Sequence, residues 1–242
     1  MKRAIVFGAT GTIGQAICHK LAADGWSLYI HANHHFELAS NLAEKLQAEY
    51  PMQDMMPISL DFLSDDEKLS QFVDNLLAVN AVVFSQGITK YGLLRDQELA
   101  NIDDLIKVNL TTPIKLSKLF EPKLLKNDFS RIVYIGSVYG GQGSAMETVY
   151  SATKAALANF SASYAKEVAA MKLTVNVIAP GAVDSAMNQM ISQQEMNDVI
   201  DEIPAGRLAT GDDVAIWVSH LLAPDSNYLT GQTIYVSGGW LR

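Results

Sequence analysis

The chain has 242 residues, of which 49% are hydrophobic and 18% are charged, and its formal net charge is −8. This composition supports a large folded core and argues against disorder. The acidic balance argues against nucleic acid as a main partner, because phosphate binding needs clustered lysine and arginine, and it gives no general attraction to anionic membranes. A single cysteine, Cys18, excludes a disulfide framework and a cysteine-based metal site.

The N-terminal apolar run, AIVF, is too short for the core of a signal peptide. No apolar stretch reaches the length that spans a bilayer. The lone cysteine fits a reducing compartment. These features predict a soluble cytoplasmic protein.

Short apolar runs alternate with longer amphipathic segments along the chain. The first helix is expected to stop at Gly25, because glycine is a natural C-terminal stop. The predicted strands are 3–7, 27–32, 55–61, 81–87, 130–137, 173–181 and 232–239, and the predicted helices are 14–25, 36–50, 66–77, 102–126, 150–170 and 211–223.

This alternation of strands and helices predicts a parallel sheet that is covered on both faces. The strands are rich in Val, Ile and Ala, as strands buried on both sides should be. No linker or fixed-period repeat divides the chain. The prediction is an α/β fold: a single doubly wound Rossmann-type domain over residues 1–242, with a seven-stranded parallel sheet and helices on both faces.

The first strand runs into the sequence GATGTIG at the first strand–helix junction. Glycines in such a turn let the backbone approach a pyrophosphate, and the N-terminus of the next helix favours its negative charge. The alternative is a tight turn that needs glycine conformations for its own sake, but the position of the motif favours a dinucleotide site. The candidate contacts are Gly8, Thr10, Gly11, Thr12, Ile13 and Gly14.

The end of the second strand is expected to bind the adenosine ribose. A carboxylate there would bind the 2′-hydroxyl, whereas basic or small polar residues admit a 2′-phosphate. The sequence has Ala32-Asn33-His34-His35, with no carboxylate and no arginine. Asn33 and His34 are therefore candidate phosphate donors, and NADP(H) is the expected cofactor, with NAD(H) as the alternative. An equally good interpretation is that His34 and His35 are ordinary surface histidines.

The sequence YSATK places Tyr150 and Lys154 four residues apart, on one face of a predicted helix. An ammonium group near a phenol favours the phenolate and lowers the phenol's pKa. A phenol tuned in this way can act as a general acid. Taken alone, such a pair is more often a surface tyrosine and a solvated lysine.

Together these motifs resemble the short-chain dehydrogenase/reductase family over essentially the whole chain. The resemblance rests on GATGTIG, on Asp61 at the end of the third strand, on Asn109 in KVNLT, and on Ser137, thirteen positions before Tyr150. The sequences APGAV and TGQTIYVSGG near the C-terminus complete it. Several weak signals in the right order and spacing make a chance match improbable.

The resemblance implies four catalytic residues. Tyr150 would donate a proton as hydride reaches the carbonyl carbon, and Lys154 would hold the nicotinamide ribose and lower the pKa of Tyr150. Ser137 would hydrogen-bond the substrate oxygen. Asn109 would hold a water that links Lys154 to solvent. Because asparagine is a poor helix former, a helix kink is the alternative explanation for Asn109.

The resemblance also implies cofactor contacts along the chain, and no metal. Two departures from the family pattern predict altered detail: Phe84-Ser85-Gln86-Gly87 stands where Asn-Asn-Ala-Gly is usual, and Thr12 replaces the middle glycine of the first turn. Asp61 would cap the adenine amino group. Beyond the turn, the implied contacts are Asn33, His34, Asp61, Phe62, Ser85, Gln86, Gly87, Tyr150, Lys154, Pro180, Gly181 and Val183. The dinucleotide part would span about 1–140, followed by the Tyr-Lys helix 150–170.

Within the family, the chain looks most similar to the 3-oxoacyl-(acyl-carrier-protein) reductases of fatty acid synthesis, through VNVIAPGAV, IPAGRL and the terminal SGG. The segment 184–205 would then be a mobile lid over the substrate. Its apolar residues would line an acyl channel, or would equally form the buried stripe of a helix. These residues are Met187, Met190, Ile191 and Met196.

Acyl carrier protein is acidic, so its reductase needs a basic patch. Asp128 and Met171 stand where the resemblance leads us to expect basic residues, although Lys126, Arg131 and Lys172 lie nearby. A second branch of the family, the elongation factor P 5-aminopentanone reductases, reduces a ketone on a modified lysine. The chain's length and its SLYIHAN segment look similar to that branch.

Two further expectations follow from the resemblance. Some proteins of this fold have lost catalysis and act as dinucleotide-binding sensors, but all four catalytic-type residues are present here. The family commonly forms homotetramers or homodimers that pack the helices around 100–125 and 150–170 between subunits. The many Ala and Ser residues of the second helix allow such close packing.

Overall fold

The computed structural model describes residues 2–185 and 193–240. Its seven strands form one parallel sheet in the order β3-β2-β1-β4-β5-β6-β7, which confirms the predicted fold class. The strands are β1 (Arg3–Phe7), β2 (Ser27–Ala32), β3 (Met55–Ser59), β4 (Ala81–Phe84), β5 (Ser130–Ile135), β6 (Leu173–Pro180) and β7 (Thr233–Val236). The helices are α1 (Thr12–Ala23), α2 (Phe36–Glu49), α3 (Asp66–Asp74), α4 (Leu99–Ile106), α5 (Thr112–Leu124), α6 (Thr148–Val168), α7 (Gln193–Glu202) and α8 (Gly211–Leu222).

Both faces of the sheet are covered by helices, and alternate residues of each strand pack on opposite sides. In β1, Ala4 and Val6 contact the layer of α1, α2 and α8, whereas Ile5 and Phe7 contact the layer of α3, α5 and α6. A side-chain period of two sends successive residues to opposite faces. This double burial explains why the strands read as continuous apolar runs.

The predicted long helix 102–126 is in fact two α-helices joined by a π-helical turn. Helix α4 begins at Leu99, the π turn spans Lys107–Thr111, and α5 continues from Thr112. Asn109 lies in this turn and is 1% exposed. The prediction of one uninterrupted helix was therefore wrong, whereas the suspicion that Asn109 marks a distortion was right, because a π turn bulges the helix at that residue.

Other boundaries shift by a few residues. Helix α1 ends at Ala23, and Gly25 follows its cap with a φ of +81°, so the predicted glycine stop is confirmed. Strand β3 ends at Ser59, so Asp61 lies two residues beyond the strand rather than within it. Strands β4 and β7 are shorter than their predicted ranges 81–87 and 232–239.

The functional cavity is positioned by the reversal of strand order next to β1. Strand β2 pairs with one side of β1, and β4 pairs with the other. The connections therefore diverge above β1 and leave a crevice at the carboxyl ends of the strands, where open α/β sheets bind their ligands. In the described ranges, no helix is long and apolar enough to cross a membrane.

Arg131 on β5 is fully buried and ties the chain after α8 to the sheet. Its guanidinium donates to the carbonyl oxygens of Ala223 and Pro224 at 3.0 and 3.1 Å, and to the side-chain oxygen of Asn227 at 2.8 Å. The acceptors are only partly buried, but hydrogen bonds to a charged group contribute more stability than those between neutral groups. Arg131 is thus a structural clamp.

Replacing Arg131 with Met should lower the free energy of unfolding by about 2–4 kcal/mol, because three acceptors lose a charged donor. Chemical denaturation monitored by circular dichroism measures the change. Arg95→Met is the matched control, since the Arg95 side chain is 80% exposed. Equal stability of the two variants would contradict the clamp.

Candidate active site

A cavity of about 750 Å³ opens at the carboxyl ends of the strands. It is the physical meeting point of the sequence motifs, which lie far apart along the chain. Of the residues predicted for catalysis or cofactor binding, all of which lie in the described ranges, Asn109 alone does not line it. The predicted residues that do are Gly8, Thr10, Gly11, Thr12, Ile13, Gly14, Asn33, His34, Asp61, Phe62, Ser85, Gln86, Gly87, Ser137, Tyr150, Lys154, Pro180, Gly181 and Val183.

The glycine turn after β1 is packed too tightly for side chains at two positions. A Cβ on Gly8, whose φ is +70°, would lie 2.6 Å from the Gln86 backbone nitrogen. A Cβ on Gly14 would lie 2.1 Å from the Gly8 carbonyl oxygen. Gly11 caps α1 without a side-chain hydrogen bond, which leaves the first amide groups of the helix directed to the cavity. The turn therefore fits an anionic group close to the backbone.

Two polar side-chain atoms after β4 have no partner within the described part of the chain. They are the hydroxyl oxygen of Ser85 and the amide oxygen of Gln86, both buried and both on cavity-lining residues. Buried polar groups in native proteins are nearly always hydrogen-bonded. This pair therefore fits a ligand with polar groups, such as a dinucleotide, and the departure from the family's Asn-Asn-Ala-Gly pattern keeps hydrogen-bonding capacity there.

The ribose end of the cavity holds Asn33, His34 and Asp61. The Asn33 amide nitrogen lies 3.1 Å from Nε2 of His34 and 3.5 Å from Oδ1 of Asp61. The same Asp61 oxygen accepts from the Leu63 backbone amide at 2.8 Å. Asn33 and His34 are exposed, so both can reach a phosphate.

The candidate reaction centre joins Ser137, after β5, to Tyr150 and Lys154 on α6. Burial raises the pKa of Tyr150 to about 12, although a hydrogen bond with Ser137 opposes the rise. Lys154 donates to the Ile135 carbonyl oxygen at 2.8 Å, and its ammonium lies 5.6 Å from the centroid of the Tyr150 ring. Burial lowers the pKa of Lys154 to about 8.

These values correct one sequence expectation. Lys154 was expected to lower the pKa of Tyr150, but burial dominates in this structure and keeps the phenol protonated. The expectation failed because spacing along a helix shows which side chains share a face but not how deeply they are buried. The protonated phenol remains suited to donating a proton.

Asn109 lies behind the cavity wall and holds the chain that follows β4. Its Oδ1 accepts from the Ile88 amide at 2.9 Å, and its Nδ2 donates to the Ile88 carbonyl oxygen at 2.8 Å. A Cβ on Gly87 would lie 3.5 Å from the Lys154 nitrogen and 3.6 Å from Asn109 Oδ1. Asn109 therefore positions the wall beside Lys154.

His31, which lies on β2 and lines the cavity, was not predicted from the sequence. It is 2% exposed, and a polar residue inside a strand buried on both faces was the available signal. Glu147 and Trp240 line the cavity and were missed as well.

Part of the predicted lid is the helix α7. Met196 and Val199 on this helix line the cavity, which fits an apolar wall over a substrate. Met187, Met190 and Ile191 lie outside the described residues. Within the described ranges, no cluster of His, Cys, Asp or Glu has the arrangement of a metal site.

Gly14→Ala should destabilise the glycine turn and abolish dinucleotide binding, because the new methyl group would meet backbone atoms of Gly8 and Ala9. We expect a loss of at least about 2 kcal/mol in unfolding free energy. Thermal unfolding with and without dinucleotide measures both effects. Gly143→Ala is the control, since nothing lies within 4 Å of its added Cβ. A Gly14→Ala protein with normal stability and binding would refute the close packing.

Comparison with known proteins agrees with this geometry. A protein family described as short chain dehydrogenase matches residues 2–196. An uncharacterized oxidoreductase, YmfI of Bacillus subtilis, is 33% identical over 99% of this chain and 98% of its own length. The 3-oxoacyl-[acyl-carrier-protein] reductase FabG of Salmonella typhimurium is 34% identical over 98% of this chain and 96% of its own.

A solved structure extends the comparison. A protein of Beutenbergia cavernae, assigned as an NAD(P)-dependent gluconate 5-dehydrogenase and crystallised with NADP, superposes with a TM-score of 0.93 at 27% identity, over 99% of this chain and 96% of that one. The fold, the cavity and the matched motifs therefore agree. The chain belongs to the short-chain dehydrogenase/reductase family and is an oxidoreductase.

Proposed function

We propose that the protein uses NADP(H) to reduce a ketone. The observation that carries the proposal is the meeting of Ser137, Tyr150 and Lys154 in the same cavity as the glycine turn. When bound, the nicotinamide supplies the hydride chemistry. The protein's own residues hold the ketone, supply a proton and exclude water.

Each residue of the reaction centre has a defined task in this proposal. Tyr150 donates its phenolic proton to the ketone oxygen, and Ser137 hydrogen-bonds the same oxygen as its charge develops. The Lys154 ammonium stabilises the phenolate that Tyr150 leaves behind. Asn109 holds the wall formed by Gly87 and Ile88 beside Lys154. We also propose that Asn109 holds a water that links Lys154 to solvent.

The cofactor-binding set predicted from sequence is part of the same proposal. Gly8 to Gly14 would hold the pyrophosphate, and Ser85 and Gln86 would satisfy their buried polar atoms on the dinucleotide. NADP(H) is favoured because the end of β2 carries Asn33 and His34 and no carboxylate, and because the protein of Beutenbergia cavernae was crystallised with NADP.

The proposal predicts that ketone reduction slows as pH rises through about 8. Below that pH Lys154 carries its charge; above it, the buried amine is neutral and no longer stabilises the phenolate. Tyr150 stays protonated across this range because its own pKa is about 12. Initial rates between pH 6 and pH 10, at saturating NADPH and ketone, measure the effect.

Lys154→Arg is the matched variant, because arginine keeps its charge throughout the range. The fall near pH 8 should disappear in this variant, whatever its absolute rate. Tyr150→Phe should be inactive at every pH. A wild-type rate that does not change between pH 6 and pH 10 would contradict the role of Lys154.

One candidate substrate is a 3-oxoacyl thioester on acyl carrier protein. The identity to a reductase of that name and the apolar side chains of Met196 and Val199 in the cavity support it. Asp128 and Met171 weaken the expected basic patch and Arg131 is buried, whereas Lys126 and Lys172 beside them are exposed. Asp128 and Met171 precede the amino ends of β5 and β6, about 20 Å from the cavity along a six-residue strand.

A second candidate is a ketone that carries an amine, as on a modified lysine of elongation factor P. The charge of the cavity favours this amine-bearing ketone, because the carboxylates of Asp104, Glu147 and Glu195 line the cavity. Among the described lining residues, Lys154 is the one lysine and there is no arginine. Glu147 accepts from the Thr89 hydroxyl at 2.7 Å, which orients its carboxylate. Carboxylates attract an ammonium group and repel an acidic carrier.

Turnover of two ketones decides between the candidates. NADPH oxidation is measured with a 3-oxoacyl thioester on acyl carrier protein and with a small ketone that bears a primary amine, each beside NADH and beside Tyr150→Phe. Tyr150-dependent turnover of the thioester alone supports the first candidate. Turnover of the amine ketone, with a KM that Glu147→Gln raises about tenfold by removing one charge, supports the second. Tight NADPH binding with neither activity would contradict both.

A cytoplasmic homo-oligomer is also part of the proposal. Leu99 is 80% exposed and Ile106 is 38% exposed on α4, within the region where the resemblance implies subunit packing. Exposed apolar side chains on a helix suit such a contact.

A further inference from the structure

His31 lies beneath the glycine turn and joins the cavity-facing ends of three strands. Its Nδ1 lies 3.2 Å from the Gly8 backbone nitrogen, and its Nε2 lies 2.9 Å from the Leu60 carbonyl oxygen. The ring packs against Phe7 and Phe62, with centroid distances of 5.0 and 5.5 Å. A side chain of β2 thus contacts the residue after β1 and the residue after β3.

The two partners fix the protonation state of the ring. A backbone amide can only donate and a carbonyl oxygen can only accept, so Nδ1 carries the lone pair and Nε2 carries the hydrogen. Burial lowers the pKa of His31 to about 4, so the ring is neutral in a cell. His31 therefore has no proton to give near neutral pH, and its contribution is geometric.

That contribution falls on the turn that would hold the pyrophosphate. The His31 backbone carbonyl also accepts from the Ala9 amide at 3.0 Å, so His31 fixes two consecutive residues of the turn. Little space separates Gly8 from the chain after β4, because a Cβ on Gly8 would lie 2.6 Å from the Gln86 backbone nitrogen. On the other side, Leu60 directly precedes Asp61 at the ribose end.

We propose that His31 is a positioning residue for the cofactor: its ring sets the conformation of the Gly8 turn and thereby the affinity for the dinucleotide. The proposal rests on the proposed NADP(H) function. It concerns binding rather than the proton transfer at Tyr150. If His31 only filled the core, substitutions that keep a group in place of Nδ1 and substitutions that keep one in place of Nε2 would have the same effect on NADPH binding.

Two amide variants separate the ring's two hydrogen bonds. In His31→Asn the amide oxygen can take the place of Nδ1 and accept from Gly8, while the bond to Leu60 is lost. In His31→Gln the longer amide can donate to Leu60, while Gly8 loses its acceptor. Both variants remove the ring, so both lose packing against Phe7 and Phe62.

The dissociation constant for NADPH is measured by equilibrium fluorescence titration, and folding is verified by thermal unfolding. We expect His31→Gln to weaken NADPH binding about tenfold, the scale of one lost hydrogen bond. His31→Asn should weaken it by less than about threefold, at a comparable or larger loss of melting temperature. The kcat of both variants at saturating NADPH should stay near that of the wild type, and the loss should appear in the KM for NADPH.

Three outcomes would overturn the proposal. Equal losses of NADPH affinity in the two variants would make His31 a core residue only. Unchanged affinity in a folded His31→Gln would show that the turn does not need the bond. Wild-type protein that binds neither NADPH nor NADH would overturn the proposed function together with this inference, whereas the first two results leave that function standing.

Discussion

The close approach of the Gly8 backbone to the segment after β4 is the constraint on which the site depends. A Cβ at Gly8 would lie less than 3 Å from backbone atoms of Ser85 and Gln86. Because the turn is held against its neighbour without side chains between them, the first amides of α1 face open space rather than protein. The same contact leaves the polar atoms of Ser85 and Gln86 buried at the cavity wall. The backbone proposed to bind the phosphates and the polar atoms proposed to bind the nucleoside thus depend on one feature, the absence of a side chain at Gly8.

Burial divides the two titratable groups of the reaction centre. It raises the pKa of Tyr150 and lowers that of Lys154, so the neutral form of each group is favoured. At neutral pH the Tyr150 phenol therefore keeps its proton, and Lys154, with a pKa of about 8, still carries its charge. Both pKa values depart from those of surface side chains because both groups are buried, which the spacing of YSATK alone could not show.

Much of this architecture could be predicted from the sequence, because local patterns determine it. The alternation of apolar runs and amphipathic segments specified the parallel sheet, and GATGTIG at the first junction predicted a glycine turn that does line the cavity. The π turn at Asn109 escaped prediction, since its backbone register depends on packing between α4, α5 and α6. His31 escaped for a similar reason: its role comes from the residues after β1 and β3, which are distant in sequence. The buried state of Arg131 likewise follows from the segment after α8.

The π turn has a consequence for how this chain can vary. A π turn accommodates one more residue than the α-helical path would, so the residues of α5 are shifted by one sequence position while their side chains keep the directions they would have in a continuous α-helix. Removing one residue from the turn would therefore restore a continuous α-helix and leave Leu116, Phe120 and Leu124 facing the core. Asn109 would lose the position from which it holds Ile88. The length of this turn thus governs the wall beside Lys154 rather than the packing of α5.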